Sequence, residues 1–280
     1  MIWAAGSAPM GCSEMRRWLL LLQILLAPTA LAAESSVFDP PAATERVTLG
    51  KSRGKNQLDC FYFAGLRVKQ LDLGEVGAAQ LAILPLKPDA KRVACHKQRE
   101  PGEIVIRGAD WSGYFKGVRA SYVFFDADDG TNGGLGFAVF DGHDGKKLFS
   151  DVAVGKIGSA EPTEGGIRLR YRRALLGPCS IVSGGAACWP QFVQTAAVPA
   201  EPMPDCAAGY LKAKTEMARG RCEAQNDKTP GCFESQMAEL DRQRWDEAPS
   251  VLAYDVEAEI GHSRQNLTPV GGERSCWPSD

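Results

Sequence analysis

Asp126, Asp128, Asp129 and Asn132 fall within seven residues, in the run Phe125-Asp126-Ala127-Asp128-Asp129-Gly130-Thr131-Asn132-Gly133-Gly134. Three carboxylates and an amide oxygen at this density are the hard oxygen donors that Ca2+ prefers. Asp126, Asp128, Gly130 and Asn132 also follow an alternating ligand spacing. The run departs from a helix–loop–helix calcium loop at two places. Its fifth position is Gly130, and Phe137 stands at the twelfth, where a bidentate Glu is needed. Asp, Asn and Gly are equally what a turn between strands uses. Ca2+ is thus the one cofactor the sequence offers, with an acidic turn as the alternative.

Other chemistry has less to stand on. No Gly-x-Ser-x-Gly elbow is present. Gly50-Lys51-Ser52-Arg53-Gly54-Lys55 lacks the spacing and the trailing hydroxyl of a phosphate loop. The histidines are His96, His143 and His262, and none sits in a ligand-spaced motif. Asp59, Asp72 and Asp110 are candidates for a carboxylate pair, which meets in space and not in sequence. Trp111, Trp189, Trp245 and Trp277 are candidates for a sugar site, although two of them follow a cysteine and suit packing on a disulfide. A formal net charge of −2 gives no footprint for nucleic acid or an anionic membrane surface.

The cysteines belong to a different chemistry. Met15-Arg16-Arg17-Trp18 leads into the apolar run Leu19–Ala27 and then Pro28-Thr29-Ala30-Leu31-Ala32. A basic start, a short apolar run and small residues before a cut make the layout of a secretory signal peptide, with cleavage after Ala32. Met15 is a second candidate start. Export places Cys60, Cys95, Cys179, Cys188, Cys206, Cys222, Cys232 and Cys276 in an oxidising compartment, periplasmic or extracellular, as disulfide partners. After cleavage, which removes Cys12, Cys60 and Cys95 are alone in the N-terminal half, and Cys179 and Cys188 bracket the turn signal Ser183-Gly184-Gly185. A helix between Cys206 and Cys222 would hold them roughly 24 Å apart at about 1.5 Å rise per residue. Cys222 can meet Cys232 at the turn between two helices, which leaves Cys206 for Cys276. No Cys-x-x-Cys pair supports zinc.

These residues need elements to hold them. The segment 33–46 reads as an extended lead-in and 47–190 as a β domain. Its runs include Gln57–Phe63, Leu66–Leu73, Gln80–Leu86, Glu103–Ile106, Val118–Asp126, Phe137–Asp141 and Lys146–Val152, parted by Gly and Asp turns. Pro199, Pro202 and Pro204 mark 191–204, with Pro190 at its edge, as a linker. A helical hairpin follows over 205–247, one helix at Asp205–Arg219 and another at Cys232–Trp245, before a final strand segment in 248–280. Ile167, Leu169 and Tyr171 alternate with Arg168, Arg170 and Arg172; Leu252, Tyr254, Val256, Ala258 and Ile260 alternate with Asp255, Glu257 and Glu259. Opposite charge on matching faces predicts that these two strands pair in one sheet. The Cys-Trp-Pro triplets at 188–190 and 276–278 suggest an internal duplication interrupted by the helices. The expected fold is mainly β, an antiparallel sandwich or barrel with a disulfide-linked α-helical hairpin insertion, α+β overall.

The helical segment 205–245 resembles the Cys-rich helical module of secreted lysozyme-inhibitor proteins of the LprI type. The matching residues are Asp205-Cys206-Ala207, Cys222, and Cys232 with Met237, Leu240, Asp241 and Arg242. The resemblance implies a periplasmic protein-binding module. The leading expectation is an exported, disulfide-stabilised binding or envelope-associated protein, not catalytic, whose partner is an envelope protein or a glycan. Alternatives are a secreted carboxylate-based glycan hydrolase and a lysozyme-inhibitor-like protein.

Overall fold

A computed structural model describes residues 36–50, 56–87, 92–196, 198, 202–227 and 229–279. The segment 1–32, expected as a signal peptide, and most of the phosphate-loop-like run lie outside the described residues. Among the described residues the chain is mainly β, with two antiparallel sheets and a set of helices.

The first sheet is a meander of five strands: β1 (Ala43–Thr48), β2 (Gln57–Tyr62), β3 (Leu66–Asp72), β4 (Gln80–Pro85) and β5 (Ile104–Ile106). The second contains β6 (Gly113–Arg119), β7 (Tyr122–Thr131), β8 (Gly134–Asp141), β9 (Lys147–Ala153), β10 (Ser159–Thr163), β11 (Gly166–Leu176), β12 (Ser250–Gly261), β13 (Gln265–Pro269) and β14 (Ser275–Pro278). Its order is β13-β12-β11-β9-β8-β7-β6, with β10 paired to β11 and β14 to β12. Between β11 and β12 lie α1 (Ile181–Ala196), α2 (Ala207–Ala224), α3 (Pro230–Arg242) and a 3-10 turn, Trp245–Glu247.

Period-two alternation gives the central strands two buried faces. Val123 and Phe125 of β7, with Ala138 and Phe140 of β8, pack on Leu66, Val68, Leu81 and Ile83 of the first sheet. Tyr122, Phe124, Phe137 and Val139 point the other way, into a larger core with Ile167, Leu169, Tyr171, Leu252, Tyr254 and Val256. The second sheet curls around that core, and Arg119 Nε at the end of β6 donates to the Ala160 carbonyl of β10 at 3.0 Å. The pairing predicted from charge is present: Arg168 lies opposite Glu259, Arg170 opposite Glu257 and Arg172 opposite Asp255. Arg170 Nη2 is 2.8 Å from Glu257 and Arg168 Nη2 is 3.0 Å from Glu259.

The outer face of the first sheet holds a buried charge cluster. Arg67 and Lys69 alternate with Leu66 and Val68 on β3, so they leave the sheet on the side away from the sandwich core. The segment before β5 covers them, with Glu103 2.8 Å from Arg67 and 2.6 Å from Lys69. Arg67 also donates to the Ala94 carbonyl and Lys69 to the Gln98 carbonyl, each at 3.1 Å. The Cys60–Cys95 disulfide fixes the same segment to β2.

Several local expectations are corrected. The run 118–126 is two strands, broken at Ala120, whose φ of 53° makes the turn. The lead-in already contains β1, which pairs with β2. The last strand before the helices ends at Leu176, short of 190, and Ser183–Gly185 lies inside α1, as does the Pro190 edge of the expected linker. A break at Gly185 (φ 46°, ψ −127°) divides α1, and Pro190 comes soon after the restart, near the part of a helix where a missing N–H costs least. Ile181, Cys188, Trp189 and Phe192 bury one side of α1 in the larger core, and that burial outweighs the linker-like composition. The two Cys-Trp-Pro triplets fall in a helix and a strand, so they are not copies of one unit. α2 runs through Gly220 to Ala224, and α3 stops at Arg242.

Candidate functional site

The widest groove among the described residues draws its walls from outside the carboxylates of the acidic run. That run is the strand pair β7–β8, closed by the two-residue turn Asn132-Gly133, whose φ values are 51° and 74°. Asp-Asn-Gly chemistry here serves a type I′-like turn with positive φ at both positions. Asp126 Oδ1 accepts from Lys116 Nζ at 2.5 Å, and Asp128 Oδ2 accepts from Ser112 Oγ at 2.9 Å. Asp129 is exposed. Among the described residues, no three His, Cys, Asp or Glu side chains are placed to share a metal ion. Asn132 takes another part, described below.

All eight expected cysteines are paired: Cys60–Cys95, Cys179–Cys188, Cys206–Cys276 and Cys222–Cys232. Two of these bridges hold α2. Cys206 precedes its first residue and ties it to β14, while Cys222 in its last turns ties it to the start of α3. Asp205 Oδ1 accepts from the Ala207 amide at 3.0 Å, capping the helix from one residue further out than a regular N-cap. Gly209 lies so close to β14 that a Cβ would meet the Cys276 carbonyl oxygen at 1.8 Å. Tyr210 donates its hydroxyl to the Ala248 carbonyl at 2.7 Å, beside the buried Ser250 at the head of β12. Lys214 of α2 forms an ion pair with Asp241 of α3.

Between α2 and β14 a groove of about 780 Å³ stays open. One wall is the α2 face carrying Gly209, Ala213, Met217, Gly220 and Ala224. The other is β14 with Ser275, Trp277 and Pro278, and Trp245 from the 3-10 turn completes the lining. Strand alternation buries Cys276 against the core and turns Trp277 out of it. The β7–β8 turn then fixes Trp277: its Nε1 donates to the Asn132 carbonyl at 3.1 Å. A Cβ at Gly133 would lie 2.9 Å from that same nitrogen, so the turn leaves room for the indole only as glycine. The Nε1 of Trp245 is buried without a hydrogen-bond partner among the described residues. Lys212, Glu216 and Arg221 stand along the groove; Lys212 and Glu216 are 4.0 Å apart, and Arg221 donates to Gln243 at 3.4 Å.

The other sequence candidates are placed elsewhere. Trp189 stacks on Phe192 in the core, and Trp111 donates to the Asp126 carbonyl at 3.1 Å. Asp59 pairs with Arg46 at 2.7 Å, and Asp72 accepts from the Gly74 amide at 2.7 Å. The Arg107 guanidinium beside Asp110 holds that carboxyl below the usual carboxylate range. Arg168, Arg170 and Arg172 face the acidic strand, whereas Arg173 turns inward, 2.9 Å from Asp151 and 3.1 Å from the Tyr254 hydroxyl. Tyr171 also donates to Asp151, and burial pushes both Tyr171 and Tyr254 above the usual tyrosine range. His143 and His262 approach one carboxylate, Asp141, at 3.5 and 3.0 Å, and His96 pairs with Glu100. Sequence reading missed both the His143–Asp141–His262 meeting and the groove, because each joins segments far apart in the chain.

The fold and the groove define a disulfide-braced β protein with a helical insertion held against its sheet. The chain has no match among protein-family models, curated proteins or solved structures.

Proposed function

We propose that this chain is an exported binding protein of the cell envelope or extracellular space and that the α2–β14 groove receives its ligand. The observation that carries the reading is the groove itself, kept open between two elements that a disulfide joins at one end. Its volume falls within the range of about 300–1,000 Å³ usual for small-ligand clefts. Four disulfides suit maturation in an oxidising compartment, and no helix among the described residues is long and apolar enough to cross a membrane. The hydrolase alternative draws no support from the groove, where Glu216 is the one carboxylate among the described lining residues and glycosidic chemistry needs two.

The test uses an environment-sensitive anilinonaphthalene dye. The oxidised protein is expected to bind it saturably, and Met217→Arg, which places a charge on the groove wall, is expected to abolish binding without lowering the melting temperature. Equal dye binding by the variant would overturn the assignment. The α2–α3 hairpin with its Cys222–Cys232 bridge supports a second reading, a lysozyme-inhibitor-like protein. Unchanged lysozyme turnover at large molar excess removes it.

A further inference from the structure

Resting on the groove assignment above, we infer that its ligand is an oligosaccharide of equatorially linked, β-1,4-type pyranose rings. The lining carries the argument. Its apolar surface comes from two indoles, Trp245 and Trp277, with Met217, Pro278 and small residues, and no Leu, Ile or Val is among the described residues that line it. An alkyl chain or an apolar helix is matched by branched aliphatic side chains; flat indole faces match flat ligands. Pyranose rings with equatorial substituents present flat C–H faces of that kind, with hydroxyls at their edges.

The edges are also provided for. Lys212 and Arg221 donate, Glu216 accepts, and the Ser275 hydroxyl, which already accepts from Arg172 at 2.7 Å, donates, so both senses of hydrogen bond to a hydroxyl are available along one groove. The opposed charges of Lys212 and Glu216 give no strong preference for an anionic ligand. Lys212 and Glu216 stand exposed, while Trp277 belongs to the braced strand and Trp245 to the 3-10 turn; small-ligand clefts share such an apolar lining with a few polar groups.

Trp277 has the clearest role. Its ring is set by the Asn132 carbonyl and by Gly133, so its orientation exists before ligand arrives. Preorganised aromatic surface loses little conformational freedom on binding. Trp277 is therefore the stacking platform, and Met217 on the opposite wall, 37% exposed, limits the width.

The experiment is isothermal titration of the oxidised full chain with N-acetylchitotetraose and with cellotetraose, together with tryptophan fluorescence. Saturable binding of at least one sugar is expected, with a fluorescence change, weakened at least about tenfold in Trp277→Ala. Met217→Arg gives the same loss from an exposed position that leaves the fold intact, which guards against a misfolded Trp277 variant. Dye binding in the groove without binding of either sugar overturns the ligand class and leaves the groove assignment standing. Absence of both overturns both, and sugar binding that survives both substitutions places the glycan site elsewhere and overturns the inference.

Discussion

Replacement of Glu103 by alanine tests how the first sheet is closed. Glu103, Arg67 and Lys69 are each 1% exposed, so the cluster holds two cations and one carboxylate away from water. Glu103→Ala leaves both cations buried, with the Ala94 and Gln98 carbonyls as their partners among the described residues. Breaking a buried pair from one side costs about 3–5 kcal/mol, since the remaining charge stays uncompensated. At about 2–4 °C per kcal/mol for a chain of this size, the melting temperature is expected to fall by roughly 6–20 °C. Urea unfolding with disulfides intact, followed by tryptophan fluorescence, measures it directly. Glu103→Gln keeps an acceptor and is expected to lose less. Lys69→Met in the Glu103→Ala background removes one orphaned cation and is expected to recover part of the loss, a coupling that only contacting residues show. A Glu103→Ala protein within about 1 kcal/mol of the parent would refute the reasoning, because the cost above belongs to a dry site.

Three further outcomes follow from the second sheet. Arg170→Glu sets like charges opposite Glu257 and is expected to destabilise by about 0.2–1 kcal/mol, with recovery in the Arg170→Glu, Glu257→Arg swap; equal effects in single and double variants would deny the contact. Burial raises the Tyr171 and Tyr254 hydroxyls, so the folded state holds their protons more tightly than the unfolded chain. Their contribution is complete below the unfolded tyrosine value near about 10 and is lost as pH rises above it. Stability is expected to fall with rising pH in that alkaline window, less steeply in Tyr171→Phe, as read by urea midpoints. Because Asp126 is held by Lys116 and Asp128 by Ser112, neither a chelator nor added Ca2+ is expected to move the melting temperature; a calcium-dependent rise reversed by Asp126→Asn would restore the acidic run as a metal site.

The strand pair β11–β12 was legible because charge and apolarity alternate on both strands at once, and a register shift by one residue would turn both patterns over. The bridges were legible because helical rise forbids Cys206–Cys222 and leaves a consistent set. α1 was hidden by local composition: Gly184, Gly185 and Pro190 signal turn and linker, and only the core packing of Ile181, Trp189 and Phe192 overrides them. Asn132 takes part in the groove through an atom that its residue type does not single out. Its side chain suggested a metal ligand, whereas its backbone carbonyl receives Trp277, and backbone contacts of this kind leave no trace in residue type.

The same reasoning explains why a groove persists where the helices meet the sheet. α2 is 18 residues long, and its buried residues are Tyr210, Ala218 and Cys222. So little buried surface leaves a helix poorly docked by packing, since helices in proteins are held mainly by an apolar face. The Cys206–Cys276 bridge substitutes for that packing, holding α2 beside β14 while the small residues along the groove wall keep the space between them clear. Closing a loop of 70 residues is worth about 4 kcal/mol on the chain-entropy account. The paired change Cys206→Ser, Cys276→Ser is therefore expected to lower stability by up to that amount and, more tellingly, to act locally. Hydrogen exchange should show α2 amides losing protection while those of β11 and β12 keep theirs, and groove binding of the dye should weaken in parallel. Protection of α2 unchanged by the loss of the bridge would mean that packing alone positions the helix, and the groove would then need another explanation for staying open.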